Sequence, residues 1–245
     1  MKSADILKKI ESSYGQVAVL IDPEKTNRPE QLDALLEKTS FAGIDYFFVG
    51  GSTVLRKDLE FVVSHLKMNS GIPVVIFPGG NQQLSTEADA LLYLSLVSGR
   101  NPDFLISHHV NNALEVFELG IEIIPTAYIL VDGGTKSSVA YVSQTTPIPR
   151  EQKSIALNTA LAALMQGKQL VYFDAGSGAK ECVPQEFITE LRKYSNAPII
   201  VGGGIRDIET LKQFKVSQAN VMVIGNKLEE DIDFLLDVKE FLKTK

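Results

Sequence analysis

Three glycine-rich turns in the second half of the chain carry the strongest chemical signal in the sequence. They are AGSGA at 175–179, VGGGIR at 201–206 and IGNK at 224–227, and each follows a short apolar run. Glycine lets the backbone approach a ligand closely, and the start of a following helix favours an anion. Three such turns at neighbouring strand ends indicate a phosphate cradle, with Ser177 as a hydroxyl donor. The alternative is that these glycines only permit tight turns.

A phenol and a carboxylate precede the first of these turns, in the segment YFDAGSG at 172–178. Side chains alternate in direction along a strand, so Tyr172 and Asp174 share one face. A carboxylate beside a phenol at a ligand site is a candidate for acid–base chemistry. The alternative is an aspartate that only forms a salt bridge inside the fold.

A second group of polar and glycine-rich turns lies in the first third of the chain. It comprises IDPEK at 21–25, VGGST at 49–53 and PGGN at 78–81. Asp22 with the hydroxyl of Ser52 would suit Mg²⁺, because hard cations prefer oxygen ligands. Lys25 is a candidate to contact a phosphate. The alternative is that Asp22 caps the next turn and Lys25 is solvated.

Other reactive side chains give weaker signals. His108 and His109 are adjacent, so in a strand they would face opposite ways and could not chelate one ion. Cys182 has no evident base partner, which favours a structural thiol. Arg100 and Asn101 precede a predicted strand, which by simple topology places them at the end of the sheet away from the site. The alternative is that a reshaped third helix brings them over the mouth.

Eight short apolar runs must position these residues, and they recur roughly every 30 residues, the length that a βα unit needs. Their continuous apolar character predicts parallel strands buried on both faces. The predicted strands are 17–22, 44–50, 72–79, 103–110, 121–130, 170–177, 198–204 and 220–226.

Helical patterns separate most of these runs. One covers 29–40, with Asn27 as its cap and Leu32, Leu35 and Leu36 on one face, and Asp207 is expected to cap another. A further helix is expected to start at Asn111 or Asn112, with an inward face formed by Leu114, Phe117 and Leu119.

Eight strands alternating with helices predict one α/β domain over residues 1–245, a closed (β/α)₈ TIM barrel. A doubly wound open sheet is the structural alternative. The segment after the third strand is polar and only briefly helical, so we expect an altered third helix. The long segment 131–153 follows the fifth strand, and its position at the site end favours a lid.

The composition of the chain argues against several classes of protein. The 245 residues carry 24 Lys and Arg against 30 Asp and Glu, a formal charge of −6. This balance argues against a nucleic-acid partner. One cysteine and no signal-peptide pattern at 1–9 suggest a cytoplasmic protein, and no apolar stretch is long enough for a membrane span.

Taken together, these motifs resemble the geranylgeranylglyceryl phosphate synthase family, which includes bacterial heptaprenylglyceryl phosphate synthases. The resemblance covers essentially the full length, and its most specific element is YFDAGSGA at 172–179. The motifs that carry it are LIDPEK, VGGS, YFDAGSGA, IIVGGGIR and VIGNK. It implies a modified barrel with an altered third helix, in agreement with the unusual segment after the third strand.

The resemblance also implies an activity: transfer of a prenyl group, with geranylgeranyl expected, from its diphosphate to the 3-hydroxyl of sn-glycerol 1-phosphate. Mg²⁺ would be held by Asp22 and Ser52, and Asp174 and Tyr172 would be catalytic. The family usually has glutamate where this chain has Asp174, which is one methylene shorter. The implied contacts to glycerol phosphate are Tyr172, Phe173, Asp174, Ala175, Gly176, Ser177, Gly178, Gly203, Gly204, Gly225 and Asn226.

The polyprenyl tail would need an apolar groove, expected beside the second to fourth strands. A homo-oligomer is also expected, with peripheral membrane contact through the lipid substrate. Two other functions stay open from the sequence. One is a phosphate-binding barrel enzyme of the isomerase type, and the other is a non-catalytic barrel that binds a phosphometabolite.

Overall fold

The computed structural model describes residues 5–243, in which eight parallel strands close into a barrel in chain order. The predicted (β/α)₈ barrel is therefore confirmed, and the open sheet is excluded. The strands are β1 Gln16–Ile21, β2 Tyr46–Val49, β3 Val74–Ile76, β4 Ala90–Leu96, β5 Glu122–Leu130, β6 Leu170–Asp174, β7 Ile199–Gly202 and β8 Val221–Ile224.

Helices surround the barrel, and one of them begins with a π-helical turn at Asp103–Ser107. The α-helices are α1 Ile6–Glu11, α2 Pro29–Ala42, α3 Arg56–Asn69, α4 His108–Glu118, α5 Ser138–Ser143, α6 Lys153–Met165, α7 Gln185–Arg192, α8 Ile208–Val216, α9 Asn226–Glu230 and α10 Phe234–Leu242. None of the described helices is long and apolar enough to cross a membrane.

Two apolar layers explain why the strands read as continuous hydrophobic runs. Alternate strand residues fill the barrel lumen, as Phe48 and Tyr172 do, while their neighbours Phe47 and Phe173 pack against the helices. All four side chains are fully buried. Because both faces of every strand are covered, polar residues concentrate at strand ends, where the candidate site residues lie.

The fourth strand lies earlier in the chain than we expected. Residues 90–96 form β4 and pair in parallel register with β5, whereas 103–110, predicted as a strand, are helical. No side chain of Asp103–Ser107 is buried, so this run cannot serve as an inner strand. Pro102 at its start suits a helical turn, since its ring fixes φ and its missing N–H is not needed there.

Because β4 lies earlier in the chain than predicted, several polar residues lie elsewhere than expected. Arg100 and Asn101 follow β4 and therefore lie at the site end of the barrel, not at the opposite end. His108 and His109 belong to a helix. His109 Nε2 lies 2.7 Å from the Leu94 carbonyl oxygen, which is the contact of a structural histidine.

The expected inward face of α4 is wrong at two of its three residues. Leu114 and Phe117 are 71% and 85% exposed, whereas Val116 is buried and Leu119, just after the helix, packs against the core as predicted. The helix starts at His108, so Asn112 is not a cap but part of the inner face with His109 and Val116. The side-chain amide of Asn112 donates to the Asn81 carbonyl, 3.0 Å away.

In a regular (β/α)₈ barrel the third barrel helix follows β3. The connection from β3 to β4 confirms the prediction that this helix is altered. Residues 77–89 join the two strands without any helix: the segment starts at the mouth, where Pro78 and Gly79 line the cavity, and returns to the opposite end of the barrel, where Asp89 accepts from the Val74 N–H at 2.8 Å. The regular strand–helix units agree more closely with the predictions from the sequence. Asp207 caps α8 by accepting a hydrogen bond from Thr210 N–H at 2.7 Å, although Arg28 and not Asn27 precedes α2.

Candidate active site

The carboxyl ends of the strands enclose a cavity of about 250 Å³. It brings together most of the residues that the sequence singled out. The predicted site residues that line it are Asp22, Ser52, Tyr172, Asp174, Gly176, Ser177, Gly203, Gly204, Gly225 and Asn226. Three predicted contacts are not part of this wall. Phe173 packs edge-on against Phe187 at 6.0 Å behind the strand, Ala175 is buried in the same outer layer, and the Gly178 N–H donates to the Asn226 side chain.

Asp174 ends β6 with both carboxylate oxygens occupied. One oxygen accepts from the Gly176 N–H at 2.8 Å, and the other accepts from the Tyr128 hydroxyl at 2.6 Å. Burial raises the pKa of this carboxyl, while the hydrogen bonds from Tyr128 and Gly176 oppose that rise. A buried carboxylate with a raised pKa, on the wall of a cavity, is suited to accept a proton.

Tyr128 is a site residue that the sequence reading missed. It lies opposite Tyr172 in the β5–β6 register, and the two rings meet edge to face at 5.5 Å. Phe77 stacks on Tyr172 at 5.0 Å and completes an aromatic group in the mouth. Burial raises the pKa of both phenols, so they stay protonated as hydrogen-bond donors. Side chains alternate in direction along β5, and this alternation places Tyr128 in the barrel lumen. It is the sequence signal that could have identified Tyr128 as a site residue.

The glycine-rich turns after β6, β7 and β8 form one continuous surface. The Asn226 side-chain carbonyl accepts from the Gly178 N–H at 2.8 Å and from the Ser177 hydroxyl at 3.2 Å. Gly203 has a φ of +80°, and a Cβ there would lie 2.8 Å from the Gly176 nitrogen. Only glycine fits at that position, since the turns after β6 and β7 are in backbone contact.

The opposite side of the mouth carries the carboxylate of Asp22. Its Oδ1 accepts from the Glu24 N–H at 3.0 Å, and its Oδ2 lies 3.9 Å from Lys25 Nζ. Lys25 instead pairs closely with Glu229, at 2.9 Å. Burial raises the pKa of Asp22, while the hydrogen bond from the Glu24 N–H and the charge of Lys25 oppose that rise. Among residues 5–243 there is no cluster of three acidic, histidine or cysteine side chains around a point.

An apolar cavity of about 80 Å³ adjoins the mouth on the side of β3 and β4. It shares part of its wall with the mouth cavity, so the two are adjacent. The shared residues are Pro78, Gly79, Leu94, Tyr128 and Val139. The remaining wall consists mainly of Leu84, Leu91, Tyr93, Leu96 and Phe104, with His108, His109 and Asn112 on α4.

The long segment after β5 lies over the mouth. Its short helix α5 is capped by Ser137, whose hydroxyl accepts from the Ala140 N–H, and Val139 forms part of both cavity walls. The side-chain amide of Asn101 donates to the Ser143 carbonyl at 3.0 Å and links this helix to the end of β4.

Cys182 is structural: its thiol donates to the Gly204 carbonyl, and burial raises the pKa of the thiol to about 11.

Comparison with known proteins agrees with this site. Residues 10–245 match the PcrB family. The chain is 44% identical to the geranylgeranylglyceryl phosphate synthase of Chitinophaga pinensis over 223 residues, which cover 91% of this chain and 88% of that relative. It is also 44% identical to the Zunongwangia profunda protein of the same name, over 94% of each chain.

A solved structure resembles the whole chain. It is the crystal structure of (S)-3-O-geranylgeranylglyceryl phosphate synthase from Thermoplasma acidophilum in complex with its substrate sn-glycerol-1-phosphate. The TM-score is 0.89 at 31% identity, and the alignment covers 99% of this chain and 98% of that one. The chain therefore belongs to the PcrB family and is a relative of the geranylgeranylglyceryl phosphate synthases.

Proposed function

We propose that this protein is a prenyltransferase that joins a prenyl diphosphate, with geranylgeranyl diphosphate preferred, to the 3-hydroxyl of sn-glycerol 1-phosphate. The observation that carries the proposal is the glycine-lined cavity beside Asp174, in a chain that matches a glycerol-phosphate-bound synthase over nearly its full length. This match favours the synthase over an isomerase or a non-catalytic binding barrel.

The phosphate of glycerol phosphate would lie in the turns after β6, β7 and β8. These turns offer backbone N–H groups and the Ser177 hydroxyl, which bind a dianion without a buried positive charge. Gly178 N–H and Ser177 now share the carbonyl oxygen of Asn226, and a phosphate oxygen is a stronger acceptor for both. Anchoring the phosphate there holds the glycerol hydroxyl near Asp174, which supplies the orientation that the reaction needs.

The bond changes balance as a substitution at C1 of the prenyl chain. The bond from C1 to the diphosphate oxygen breaks, and its electron pair leaves with the diphosphate. The glycerol 3-oxygen forms the new bond to C1, and its proton passes to the Asp174 carboxylate. Tyr128 and the Gly176 N–H hold that carboxylate in place, while the Tyr172 phenol lies beside the bound substrate.

We further propose that Asp22 and Ser52 hold Mg²⁺. Both line the cavity, and the Asp22 carboxylate is half-buried without a tight cationic partner, which fits a hard cation. Mg²⁺ usually takes only one or two protein carboxylates and completes its shell with water and substrate phosphate oxygens. The ion would neutralise charge on the diphosphate. Lys25, held by Glu229, is positioned to add a cation there.

The apolar cavity beside β3 and β4 is the proposed start of the prenyl groove. It adjoins the diphosphate side of the mouth, and its walls are leucine, tyrosine and phenylalanine side chains. A homo-oligomer, a cytoplasmic location and peripheral membrane contact stay predictions.

A product assay tests the proposal. The protein would be incubated with Mg²⁺, prenyl diphosphates of graded length, and either sn-glycerol 1-phosphate or its sn-3 enantiomer. We expect a prenylglyceryl phosphate ether from the 1-phosphate only, with an equal amount of diphosphate. No ether at any chain length, with glycerol phosphate still bound, would overturn the proposal in favour of a binding barrel.

A further inference from the structure

Two glycine-rich loops form the proposed diphosphate side of the mouth, and one of them has no helix behind it. The loop after β2 includes Gly50–Val54 and carries Ser52, and the loop after β3 contains Gly79. The first loop leads into α3, which fixes its far end. The second continues into the helix-free segment 77–89, so something else must hold it in place.

A buried glutamine holds the two loops together. Gln83 is completely buried, and its amide nitrogen donates to the Gly51 carbonyl at 2.7 Å and to the Val54 carbonyl at 3.2 Å. Its amide oxygen accepts from the Gly79 N–H at 3.0 Å. One side chain therefore satisfies three backbone groups, two in the first loop and one in the second.

The loops themselves are in backbone contact. A Cβ placed on Gly79 would lie 2.2 Å from the Gly51 carbonyl oxygen, so no larger residue fits there without moving the chain. Gln83 bonds to that same carbonyl group. The side chain therefore acts at the point where the loops meet, one residue from Ser52.

We propose that Gln83 is a positioning residue for the diphosphate side of the active site. By bridging Gly51, Val54 and Gly79, it sets the spacing of the two loops and with it the position of Ser52. This inference rests on the proposed prenyltransferase function. Gln83 faces the loops from behind and is not part of the cavity wall, so we assign it no direct contact with substrate.

An amide suits this position because the loops require both a donor and an acceptor. Leucine has similar bulk but would leave buried carbonyl and N–H groups without their partner, which costs free energy unless the loops move. Glutamate would keep the acceptor for Gly79 and lose the donor for Gly51 and Val54. The two variants thus separate the size of the side chain from its hydrogen bonds.

The test compares Gln83→Leu and Gln83→Glu with the wild type and with Gln169→Leu. Gln169 is exposed and precedes β6 at the opposite end of the barrel, so its variant makes the same chemical change away from the mouth. For both Gln83 variants we expect KM for the prenyl diphosphate to rise about tenfold, the effect of about 1.4 kcal/mol, while KM for glycerol phosphate stays within about twofold. Gln169→Leu should match the wild type.

A second readout does not depend on turnover. Calorimetric titration with inorganic diphosphate and Mg²⁺ should show about tenfold weaker binding in Gln83→Leu, whereas titration with glycerol phosphate should match the wild type. Equal losses for both ligands would reduce Gln83 to a general structural role, and unchanged diphosphate binding would also overturn the inference. A wild-type protein that forms no ether would instead refute the proposed function.

Discussion

The two sides of the barrel mouth are built by different means. On the side of β6, β7 and β8, regular strand–turn–helix units meet through glycine turns, and Asn226 joins two of these turns by hydrogen bonds. On the side of β2, β3 and β4, a helix is missing, and the Gln83 side chain replaces it as the support of the loops. The apolar cavity lies on this second side.

This difference corresponds to the chemistry proposed for each substrate. A small phosphate monoester needs many N–H donors in fixed directions, which consecutive backbone turns supply. A long apolar chain needs an open groove between strands and helices, and removing a helix provides that space. The helix-free segment after β3 would therefore leave room for the proposed groove, and it leaves the neighbouring loops dependent on side-chain contacts.

The largest expected effect lies at the boundary between the two sides, at Asp174. Asp174→Asn keeps the shape of the side chain and removes its ability to accept a proton, so kcat should fall about 100-fold or more. Binding of glycerol phosphate, measured by calorimetry, should change little. Asp132→Asn, an exposed aspartate after β5, is the matched control. Wild-type turnover in Asp174→Asn would show that the assigned role is wrong.

A smaller effect should separate the two sides directly. Ser177→Ala removes one donor to the phosphate, so KM for glycerol phosphate should rise about tenfold, as expected for a lost hydrogen bond to a charged group. KM for the prenyl diphosphate should stay constant. Ser52→Ala should give the reverse pattern in steady-state kinetics. If both variants affected the same substrate, the division of the mouth would be refuted.

The smallest effect concerns pH. The Tyr128 hydroxyl lowers the pKa of Asp174 against the rise caused by burial, so Tyr128→Phe should raise that pKa further. The reaction needs the ionised carboxylate, which exists above the pKa. The acidic limb of the profile of kcat/KM against pH should therefore move to higher pH, with a loss of a few-fold near neutrality. The exposed Tyr141 offers the control Tyr141→Phe, and an unmoved acidic limb in Tyr128→Phe would refute this coupling.

The same contrast explains what could be predicted from the sequence. The β6–β8 side is built from local motifs, in which strand, glycine turn and helix follow one another within about thirty residues, and its turns lie where they were expected. The β2–β4 side was harder. The runs at 90–96 and 103–110 are both short and apolar, and only tertiary pairing with β5 decides which one is the strand.

Two site residues, Tyr128 and Gln83, show what could not be predicted from the sequence. Tyr128 became significant only through its bond to Asp174, which lies 46 positions away in the chain. Gln83 gave no motif at all, because a buried glutamine is recognised by the carbonyl groups around it and not by its neighbours in sequence. Residues whose role depends on contacts between loops are those that a pattern along the chain does not reveal.

A crystal structure of the protein with sn-glycerol 1-phosphate, inorganic diphosphate and Mg²⁺ would test the divided mouth most directly. We expect the glycerol phosphate in the turns around Gly176–Gly178, Gly203–Gly204 and Gly225–Asn226, with its 3-hydroxyl toward Asp174. We expect the diphosphate on the other side, beside Asp22 and Ser52. A phosphate monoester bound at Gly50–Thr53, or a diphosphate in the β6–β8 turns, would refute the division of the mouth.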